Sequence, residues 1–320
     1  MDSGGAEIVF ESSDFRLYED GQVERTGGMD TTPAGFDADT GVTSKDVVID
    51  AATGVTARLY LPSIQTDPSS TENSSTKLPI LVFFHGGYFI VGSPGQPSYH
   101  RYVNSVVANA RVVAVSVGYR LAPEHLLPAA YDDSWVALNW AVSRKADKWL
   151  SDHGDLNCVF VAGVSAGANI AHNIAIAAGG GSVHAPSIER VILLHPSFSG
   201  EQKLEDEEEG FWRSDQKRWE IIFPPSARGR LDDPRINPTA AGAPSLVSLG
   251  GSRLLVCTAS EDPRAPRGRM YCAAVRASGW RGKLKWVESE GEGHCFFLSN
   301  PGSSEAVKLM DQVLAILCDN

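Results

Sequence analysis

A glycine–serine–glycine turn near the middle of the chain constrains the fold more than any other feature. Residues 158–178 read CVFVAGVSAGANIAHNIAIAA, a short apolar, β-branched run followed by a segment rich in helix formers. Gly163 and Gly167 flank Ser165 as G-x-S-x-G, a pattern that lets a strand reverse into a helix and projects the serine hydroxyl outward. We expect Ser165 to be a nucleophile and the amide of Ala166 to face the same space as an oxyanion donor.

A second glycine turn follows the apolar segment LPILVFF, which predicts a strand buried on both faces. The chain continues as HGGYF, where Gly86 and Gly87 permit a tight turn whose amides point into a cleft. An ordinary glycine turn is the alternative. A serine nucleophile, however, needs oxyanion donors from a separate loop as well as from the residue that follows it. We therefore expect Gly86 and Gly87 to hold an oxyanion together with Ala166.

The last two predicted strands end beside groups that can accept or orient a proton. Glu261 and Asp262 follow the first of them, and His294 lies on a glycine-flanked loop after the second. Loops at the carboxyl ends of parallel strands meet at one edge of a sheet. There His294 would remove the proton of Ser165 during attack, and a carboxylate would fix the imidazole tautomer. Glu261 and Asp262 are both candidates for that carboxylate.

Three other histidines are expected to be structural. His125 precedes the serine in a proline-rich loop, and His172 lies seven residues beyond Ser165 in the central helix. His195 ends a predicted strand, where a hydrogen-bonded structural role is favoured over that of a base.

The remaining pattern predicts a mostly parallel central sheet flanked by helices, in a single α/β domain over 1–320. The predicted strands are 45–61 (two strands about a turn), 78–84, 112–117, 158–162, 191–195, 252–259 and 283–287. The predicted helices are 99–110, 134–144, 166–178, 267–278 and 306–318. A solvated loop is predicted over 65–76.

Two segments lie outside this sheet pattern. Residues 1–45 contain an alternating segment around Asp20-Gly21 that predicts a hairpin, so they form either an arm packed on the domain or a flap over a pocket. Residues 201–230 begin with an acidic run and continue with an aromatic stripe at helical spacing. This insertion predicts a cap helix, with an extra surface helix as the alternative. Its run Glu205–Glu209 is expected to be only a solvated face.

Charge and cysteine content narrow the classes of partner and location. The formal net charge is −11 and the pI about 5.2, which argues against nucleic acid or an anionic membrane as the partner. The five cysteines are scattered without C-x-x-C spacing and are predicted to be free thiols that bind no metal. The N-terminus lacks a basic segment followed by an apolar one, and no run reaches the length of a membrane span. We expect a cytoplasmic protein that can also enter the nucleus by diffusion.

These motifs together resemble those of one family. The segments HGGYF, YRLAPEHLLPAAYDD, GVSAGANIAHN, DDPRINP, SEDPRAPRG and GEGHCFF are similar to those of plant carboxylesterases, in the hormone-sensitive-lipase-like branch of the α/β-hydrolase fold. The resemblance covers nearly the whole chain. It implies a serine carboxylesterase that acts on small acyl esters without a cofactor, in a pocket between the arm and a helical cap. By the same match, Ser165, Asp262 and His294 form the catalytic triad, which favours Asp262 over Glu261.

Two positions depart from the family pattern. The family commonly has a third glycine where Tyr88 stands and an aspartate where Val164 stands, so both residues are expected to alter the pocket wall or the packing of the serine turn. Other members of the family leave two further functions open. Gibberellin receptors lack the triad histidine, whereas 2-hydroxyisoflavanone dehydratases and some cyclising enzymes use the same scaffold for elimination or rearrangement of a plant specialised metabolite. His294 separates this chain from the receptors but not from the dehydratases, and the physiological ester and the oligomeric state stay open.

Overall fold

The computed structural model describes residues 7–64, 77–143, 146–180, 185–224, 226 and 231–318. The loop predicted over 65–76 lies outside these ranges. The described strands are β1 (Ile8–Glu11), β2 (Phe15–Tyr18), β3 (Val23–Arg25), β4 (Thr43–Asp50), β5 (Val55–Leu61), β6 (Leu78–Phe84), β7 (Val113–Gly118), β8 (Gly154–Val164), β9 (Arg190–Leu194), β10 (Arg253–Ala259) and β11 (Lys283–Ser289). The described helices are α1 (Pro97–Ala110), α2 (Ala129–Ala141), α3 (Lys148–His153), α4 (Ala166–Gly179), α5 (Glu209–Ile222), α6 (Ala265–Ala277), α7 (Phe296–Ser299) and α8 (Ser304–Cys318).

Eight of the described strands form the central sheet, in the order β11-β10-β9-β8-β6-β7-β5-β4. The six strands from β11 to β7 run parallel, and β5 runs antiparallel to both of its neighbours. The short turn between β4 and β5 suffices for an antiparallel pair, whereas the parallel strands need the longer helical connections that the chain supplies. The predicted fold class, a mostly parallel sheet flanked by helices, is confirmed.

The core lies on both faces of this sheet because its inner strands are apolar at successive positions. Along β6, Ile80, Val82 and Phe84 belong to one apolar cluster, and Leu81 and Phe83 belong to the other. All five side chains are buried. Side chains of a strand alternate between the two faces, so a strand covered on both faces needs a continuous apolar run.

The N-terminal segment forms a small antiparallel sheet, β1-β2-β3, which includes the hairpin predicted around Gly21. Phe15 and Leu17 of this sheet are fully buried. The sheet also contacts α5, since Ser214 Oγ donates a hydrogen bond to the carbonyl oxygen of Val9 at 3.0 Å. The described part of the arm therefore packs against the helix of the 201–230 insertion.

The acidic run at the start of the insertion is more than a solvated face. Glu207 forms a buried ion pair with Arg267 of α6, with 2.6 Å between Oε1 and Nε. Glu208 caps α5 by accepting hydrogen bonds from the amides of Gly210 and Phe211. The prediction is wrong for these two residues, because Glu207 binds the insertion to α6 and Glu208 caps the helix of the insertion.

Four of the predicted helices begin earlier than the sequence indicates, and α2 and α6 are two of them. α2 begins at Ala129 instead of residue 134, and α6 begins at Ala265 instead of residue 267. Pro128 directly precedes the first helix, and Pro266 lies in the first turn of the second. Amides of the first helical turn have no acceptor within the helix, so a proline there removes no hydrogen bond. Prolines that indicated loops therefore mark helix starts.

Candidate active site

Ser165 lies at the sharp turn between β8 and α4, at the carboxyl edge of the sheet. Its φ and ψ are 55° and −115°, a strained conformation for a residue with a side chain. The turn is tight because its glycines touch backbone atoms: a Cβ at Gly163 would overlap the backbone of Gly167, and a Cβ at Gly167 would overlap the carbonyl of Phe84. The strand, turn and helix predicted around Ser165 are confirmed.

His294 stands between Ser165 and Asp262. Its Nε2 lies 2.8 Å from Ser165 Oγ, and its Nδ1 lies 2.6 Å from Asp262 Oδ2. A carboxylate can only accept, so Nδ1 donates to Asp262, which leaves the Nε2 lone pair facing the serine hydroxyl. The side chain of Glu261, the rival candidate, is exposed. The structure thus brings together the serine, the histidine and Asp262.

Burial and charge act in opposite directions on the Asp262–His294 pair. Burial raises the pKa of a carboxyl, but the facing His294 outweighs it and holds the pKa of Asp262 below its usual range. Burial would also lower the pKa of His294, yet Cys295 and the Asp262 carboxylate raise that pKa well above 6.5. His195 Nδ1 lies 3.5 Å from Asp262 Oδ2 and accepts a hydrogen bond from the Cys295 amide at 3.0 Å. Asp262 is therefore held as an anion behind His294, with His195 in the hydrogen-bonded role expected of it.

The turn after β6 approaches the serine turn closely. A Cβ at Gly86 would lie 3.1 Å from the Cβ of Ser165 and 2.6 Å from the hydroxyl of Tyr99. Burial raises the pKa of Tyr99, so the hydroxyl beside Gly86 stays protonated. The amide of Gly87 donates to no other residue of the described chain. Ala166 occupies the first position of α4, where an amide has no acceptor within the helix.

Tyr88 and Val164, the two departures from the family pattern, lie in different surroundings. Tyr88 has a φ of 61°, and its ring packs edge-on against Phe10 and Phe15 of the arm, with ring centres 5.1 and 5.3 Å apart. Val164 is fully buried in the apolar cluster that also contains Leu194. Val164 therefore contributes to packing behind the serine turn, while the Tyr88 ring lies against the arm.

A buried charged cluster joins α5 to the start of α6. Asp215 Oδ1 lies 2.8 Å from Nη2 of Arg218 and 3.1 Å from Nη2 of Arg264. Sequence reasoning missed these residues because the aromatic spacing of the insertion indicated an apolar face. A signal was present, since Asp215, Arg218 and Trp219 are spaced i, i+3, i+4 and share that face.

One group of side chains has the geometry of a metal site. Ligand atoms of His195, His294 and Cys295 lie within 4.8 Å of one another. Both ring nitrogens of His294 already form hydrogen bonds, one to Asp262 and one to Ser165. A metal ion bound to His294 would break one of these two hydrogen bonds. The expectation of an enzyme without metal or cofactor stays a prediction.

Comparison with known proteins decides the family. The model of a family with the α/β-hydrolase fold matches residues 81–298, more than half of the chain. The chain belongs to this α/β-hydrolase family. The matched range extends from β6 to α7 and contains Ser165, Asp262 and His294.

Plant proteins are similar to this α/β-hydrolase over nearly its whole length. Tuliposide A-converting enzyme b1, amyloplastic, of Tulipa gesneriana is 42% identical and is matched over 97% of this chain and 80% of its own. The 2-hydroxyisoflavanone dehydratase of Glycyrrhiza echinata is 40% identical over 94% of this chain and 93% of its own. A protein of Arabidopsis thaliana named "Probable carboxylesterase 3" is 38% identical over 94% of this chain and 95% of its own. The predicted resemblance to plant carboxylesterases is confirmed.

Solved structures of esterases share the fold. The hyperthermophilic esterase of the archaeon Pyrobaculum calidifontis has a TM-score of 0.68 and 26% identity, over 86% of this chain and 85% of its own. Esterase LipW of Mycobacterium marinum has a TM-score of 0.72 and 25% identity, over 88% of this chain and 83% of its own. With the carboxylesterase relative, these matches confirm the predicted enzyme class, the carboxylic ester hydrolases.

The predicted cytoplasmic location is wrong on this comparison. The tulip relative above is named amyloplastic, and tuliposide A-converting enzyme 1 of the same plant, 42% identical, is named chloroplastic, which points to plastids. The criterion applied to the sequence, a basic segment followed by an apolar one, describes secretory signals. Plastid-targeting segments are amphipathic and rich in serine, so this criterion does not detect them. No helix within the described ranges is long and apolar enough to span a membrane.

Proposed function

We propose that the protein is a serine carboxylesterase that hydrolyses small acyl esters through an acyl-enzyme. The observation that carries this proposal is the position of His294, 2.8 Å from Ser165 Oγ through Nε2 and 2.6 Å from Asp262 Oδ2 through Nδ1. A hydroxyl, an imidazole and a carboxylate in this order are a nucleophile, its base and the group that orients the base. A receptor that only binds a small molecule has no need of such a base.

In the first half-reaction, Ser165 Oγ attacks the carbonyl carbon of the ester while His294 Nε2 takes the hydroxyl proton. Asp262 keeps Nδ1 protonated and stabilises the imidazolium that forms. The carbonyl electron pair moves to the oxygen, and the amides of Gly86, Gly87 and Ala166 stabilise this oxyanion. The bond to the alcohol oxygen then breaks, the alcohol leaves with the proton from His294, and the acyl group remains on Ser165.

In the second half-reaction, water takes the place of the alcohol. His294 removes a proton from the water as it attacks the acyl carbon. The bond between that carbon and Ser165 Oγ then breaks, the carboxylic acid leaves, and His294 returns the proton to Ser165 Oγ. Gly86 has a second role besides donating to the oxyanion. We assign it the close approach to Ser165, since any side chain there would collide with the Tyr99 hydroxyl.

We further propose that one domain, 1–320, carries this site under a cap made of the arm, residues 1–45, and the insertion, 201–230. Two contacts support this: the hydrogen bond from Ser214 to Val9 joins insertion and arm, and the rings of Phe10 and Phe15 meet Tyr88 beside the turn after β6. Ser165 is only 4% exposed, so the substrate has to enter between these covering segments. Such a covered site favours small esters over polymers.

A fluorophosphonate probe that reacts with activated serines tests the proposal. Wild type should gain the mass of one phosphonyl group and hydrolyse aryl acetate and butyrate esters, whereas Ser165→Ala should do neither. Ser151→Ala, which removes an exposed hydroxyl on α3, is the matched control and should behave as wild type. An unlabelled wild type, or a labelled Ser165→Ala protein, would contradict the assignment of the nucleophile.

Dehydration is the second candidate reaction, because one of the plant relatives is a 2-hydroxyisoflavanone dehydratase. There His294 would remove a proton from carbon, the C–H electron pair would form a double bond, and the neighbouring hydroxyl would leave as water after protonation. No bond to Ser165 forms on this route. Elimination activity that survives in Ser165→Ala but not in His294→Ala would favour it over ester hydrolysis.

A further inference from the structure

The cluster of Asp215, Arg218 and Arg264 contains two guanidinium groups and one carboxylate. Asp215 Oδ1 accepts hydrogen bonds from Arg218 at 2.8 and 3.1 Å and from Arg264 Nη2 at 3.1 Å. Asp215 Oδ2 accepts a hydrogen bond from Trp219 Nε1 at 3.0 Å. Burial would raise the pKa of Asp215, but the two arginines outweigh it and lower that pKa, so the carboxylate stays charged. Within the cluster, two positive charges therefore share one negative charge.

One end of the Arg264 guanidinium has no partner among the described residues. Nη1 is buried and forms no hydrogen bond, and the whole side chain is only 3% exposed. Asp215 does not fill this gap, because its bond to Arg264 runs through Nη2. A buried charged donor without an acceptor is costly, and native proteins rarely leave one without a reason. The Nη1 atom therefore marks a place where an acceptor from outside the chain can bind.

Two sets of contacts place this guanidinium beside the candidate active site. On one side, the Arg264 amide donates to Asp262 Oδ1 at 2.9 Å, and Asp262 holds the histidine. On the other side, the guanidinium lies 5.3 Å from the ring centre of Tyr88, and Arg218 Nη1 donates to the Tyr88 carbonyl at 3.4 Å. Tyr88 follows the two glycines whose turn meets Ser165. The cluster therefore borders the site both at the acid and at the turn after β6.

Aromatic rings surround the cluster and keep water from it. The Arg264 guanidinium lies 4.7 Å from the ring centre of Phe211, and that of Arg218 lies 4.2 Å from the ring centre of Trp219. Rings in this position stabilise a cation without neutralising it. In such a dry environment, a hydrogen bond from a guanidinium to an anion is stronger than at the surface.

We infer that Arg264, supported by Arg218, binds a carboxylate carried by the ester substrate. This inference rests on the proposed function and narrows it to small esters that have a free carboxylate in their acyl or alcohol part. A guanidinium suits that group because its planar N–H donors match the two carboxylate oxygens. Bound to Arg264, the carboxylate would orient the carbonyl carbon of the ester towards Ser165.

The cluster also holds the cap against the core of the domain, since the Asp215–Arg264 ion pair joins α5 to the start of α6. The two roles predict different results. If the cluster only holds the cap in place, its loss should affect the hydrolysis of every ester to the same extent. An anion-binding site affects only esters that carry the carboxylate, and mainly through KM.

Matched pairs of esters separate these roles. Monoethyl succinate and ethyl butyrate differ by a carboxylate in place of a methyl group in the acyl part, and acetoxyacetate and ethyl acetate differ in the same way in the alcohol part. In Arg264→Met, kcat/KM for the anionic member of the preferred pair should fall by roughly thirtyfold or more relative to its neutral partner, mostly through KM. Arg264→Lys should recover part of this loss. Arg213→Met, which removes an exposed cation from the same cap helix, should leave both ratios unchanged.

Equal losses for the anionic and neutral esters in Arg264→Met, or none for either, would overturn the inference. Arg264→Met should fold, because Asp215 keeps its bonds to Arg218 and Trp219. Binding without turnover keeps the test independent of the proposed function. Monoethyl succinate should raise the melting temperature of Ser165→Ala but not of Ser165→Ala/Arg264→Met, and ethyl butyrate should raise neither as much. An equal shift in both proteins would reject the anion site even if the protein hydrolyses no ester.

Discussion

Asp262 meets His294 through one carboxylate oxygen and the start of α6 through the other. Oδ2 lies 2.6 Å from His294 Nδ1, and Oδ1 accepts the amide of Arg264 at 2.9 Å. Because both oxygens are engaged, the carboxylate cannot rotate away from the imidazole without losing a hydrogen bond. The helix start thereby fixes the orientation of the acid, and the acid fixes that of the histidine.

Asp262→Asn should lower ester turnover by up to about ten-thousandfold, because an amide nitrogen facing Nδ1 favours the wrong imidazole tautomer. The matched control is Glu261→Gln, one residue earlier, whose side chain is exposed and should leave kcat within a few-fold of wild type. Steady-state kinetics on an aryl acetate checks both. Reversed losses would assign the acid to Glu261.

Ser165→Ala and His294→Ala should each cost several orders of magnitude in ester turnover, and the double variant should be scarcely worse than either one. The reason is that a nucleophile and its base act as a unit, so removing the second partner takes away little that the first has not. Circular dichroism and thermal unfolding check that all three variants are folded. Losses that multiply in the double variant would show that the two residues act independently.

The activity should rise with pH through a midpoint above 6.5. His294 has to be neutral to accept the serine proton, and Cys295 and Asp262 raise its pKa against the effect of burial. Asp262→Asn should move the residual midpoint downward, since the carboxylate is lost while burial remains. A profile of kcat/KM against pH measures both midpoints, and a midpoint that is unchanged in Asp262→Asn would contradict the assignment.

Stability should change with pH in the opposite sense. A histidine whose pKa is raised by folding stabilises the protein fully below pH 6.5, and this contribution is lost as pH rises through the folded pKa. The contribution of Asp262, whose pKa is lowered, is present above its unfolded pKa and lost at acid pH. Urea unfolding of wild type should therefore show stability falling over the range where activity rises, and His294→Ala should remove that fall.

The serine turn could be predicted because its signals are local. An apolar run, two glycines and a helix-forming segment follow one another within twenty-one residues, and each has one clear structural meaning. The base and the two candidates for the acid followed from the same logic, since each comes soon after a strand, and the family resemblance favoured Asp262 over Glu261. Their positions depended on the rule that parallel strands end at one edge, not on any long-range contact.

Several of the parts that were not predicted depend on contacts between distant segments. Asp215 and Arg264 are 49 residues apart, and only the packing of α5 on α6 makes their pairing visible. The close approach of the Tyr99 hydroxyl to Gly86 likewise requires the position of α1 against the turn after β6. Propensity and periodicity describe one segment at a time, so they carry no information about such pairs.

Glu207→Gln should lower the free energy of unfolding by about 3 kcal/mol, because it removes the charge of one partner of a buried ion pair and leaves Arg267 uncompensated. Glu205→Gln, in the same acidic run but exposed, should change it by no more than about 0.5 kcal/mol. Urea unfolding followed by tryptophan fluorescence compares the two. If both variants change the free energy of unfolding by similar amounts, the acidic run is only a solvated face, as its sequence predicts.

Tyr88→Gly should widen the range of accepted esters. The ring of Tyr88 fills space between Phe10, Phe15 and the buried guanidiniums, and its removal leaves that volume to a bulkier acyl or alcohol group. The backbone should hold the same turn more easily, since φ is 61° and glycine adopts this value without strain. The kcat for a small acetate ester should therefore stay within a few-fold of wild type. Selectivity for a bulky ester over the acetate should shift by roughly 1 to 3 kcal/mol.

Tyr88→Phe is the matched control for this change, because it keeps the ring and its packing against the arm and removes only the hydroxyl. The quantity to compare is the ratio of kcat/KM for the bulky ester to that for the acetate in all three proteins. We expect the ratio to rise in Tyr88→Gly and to stay at the wild-type value in Tyr88→Phe, since volume and not hydrogen bonding limits the larger ester. If the ratio rises equally in both variants, the hydroxyl of Tyr88 is responsible for the effect. If the ratio is unchanged in Tyr88→Gly, the ring only packs against the arm and does not limit the size of the ester.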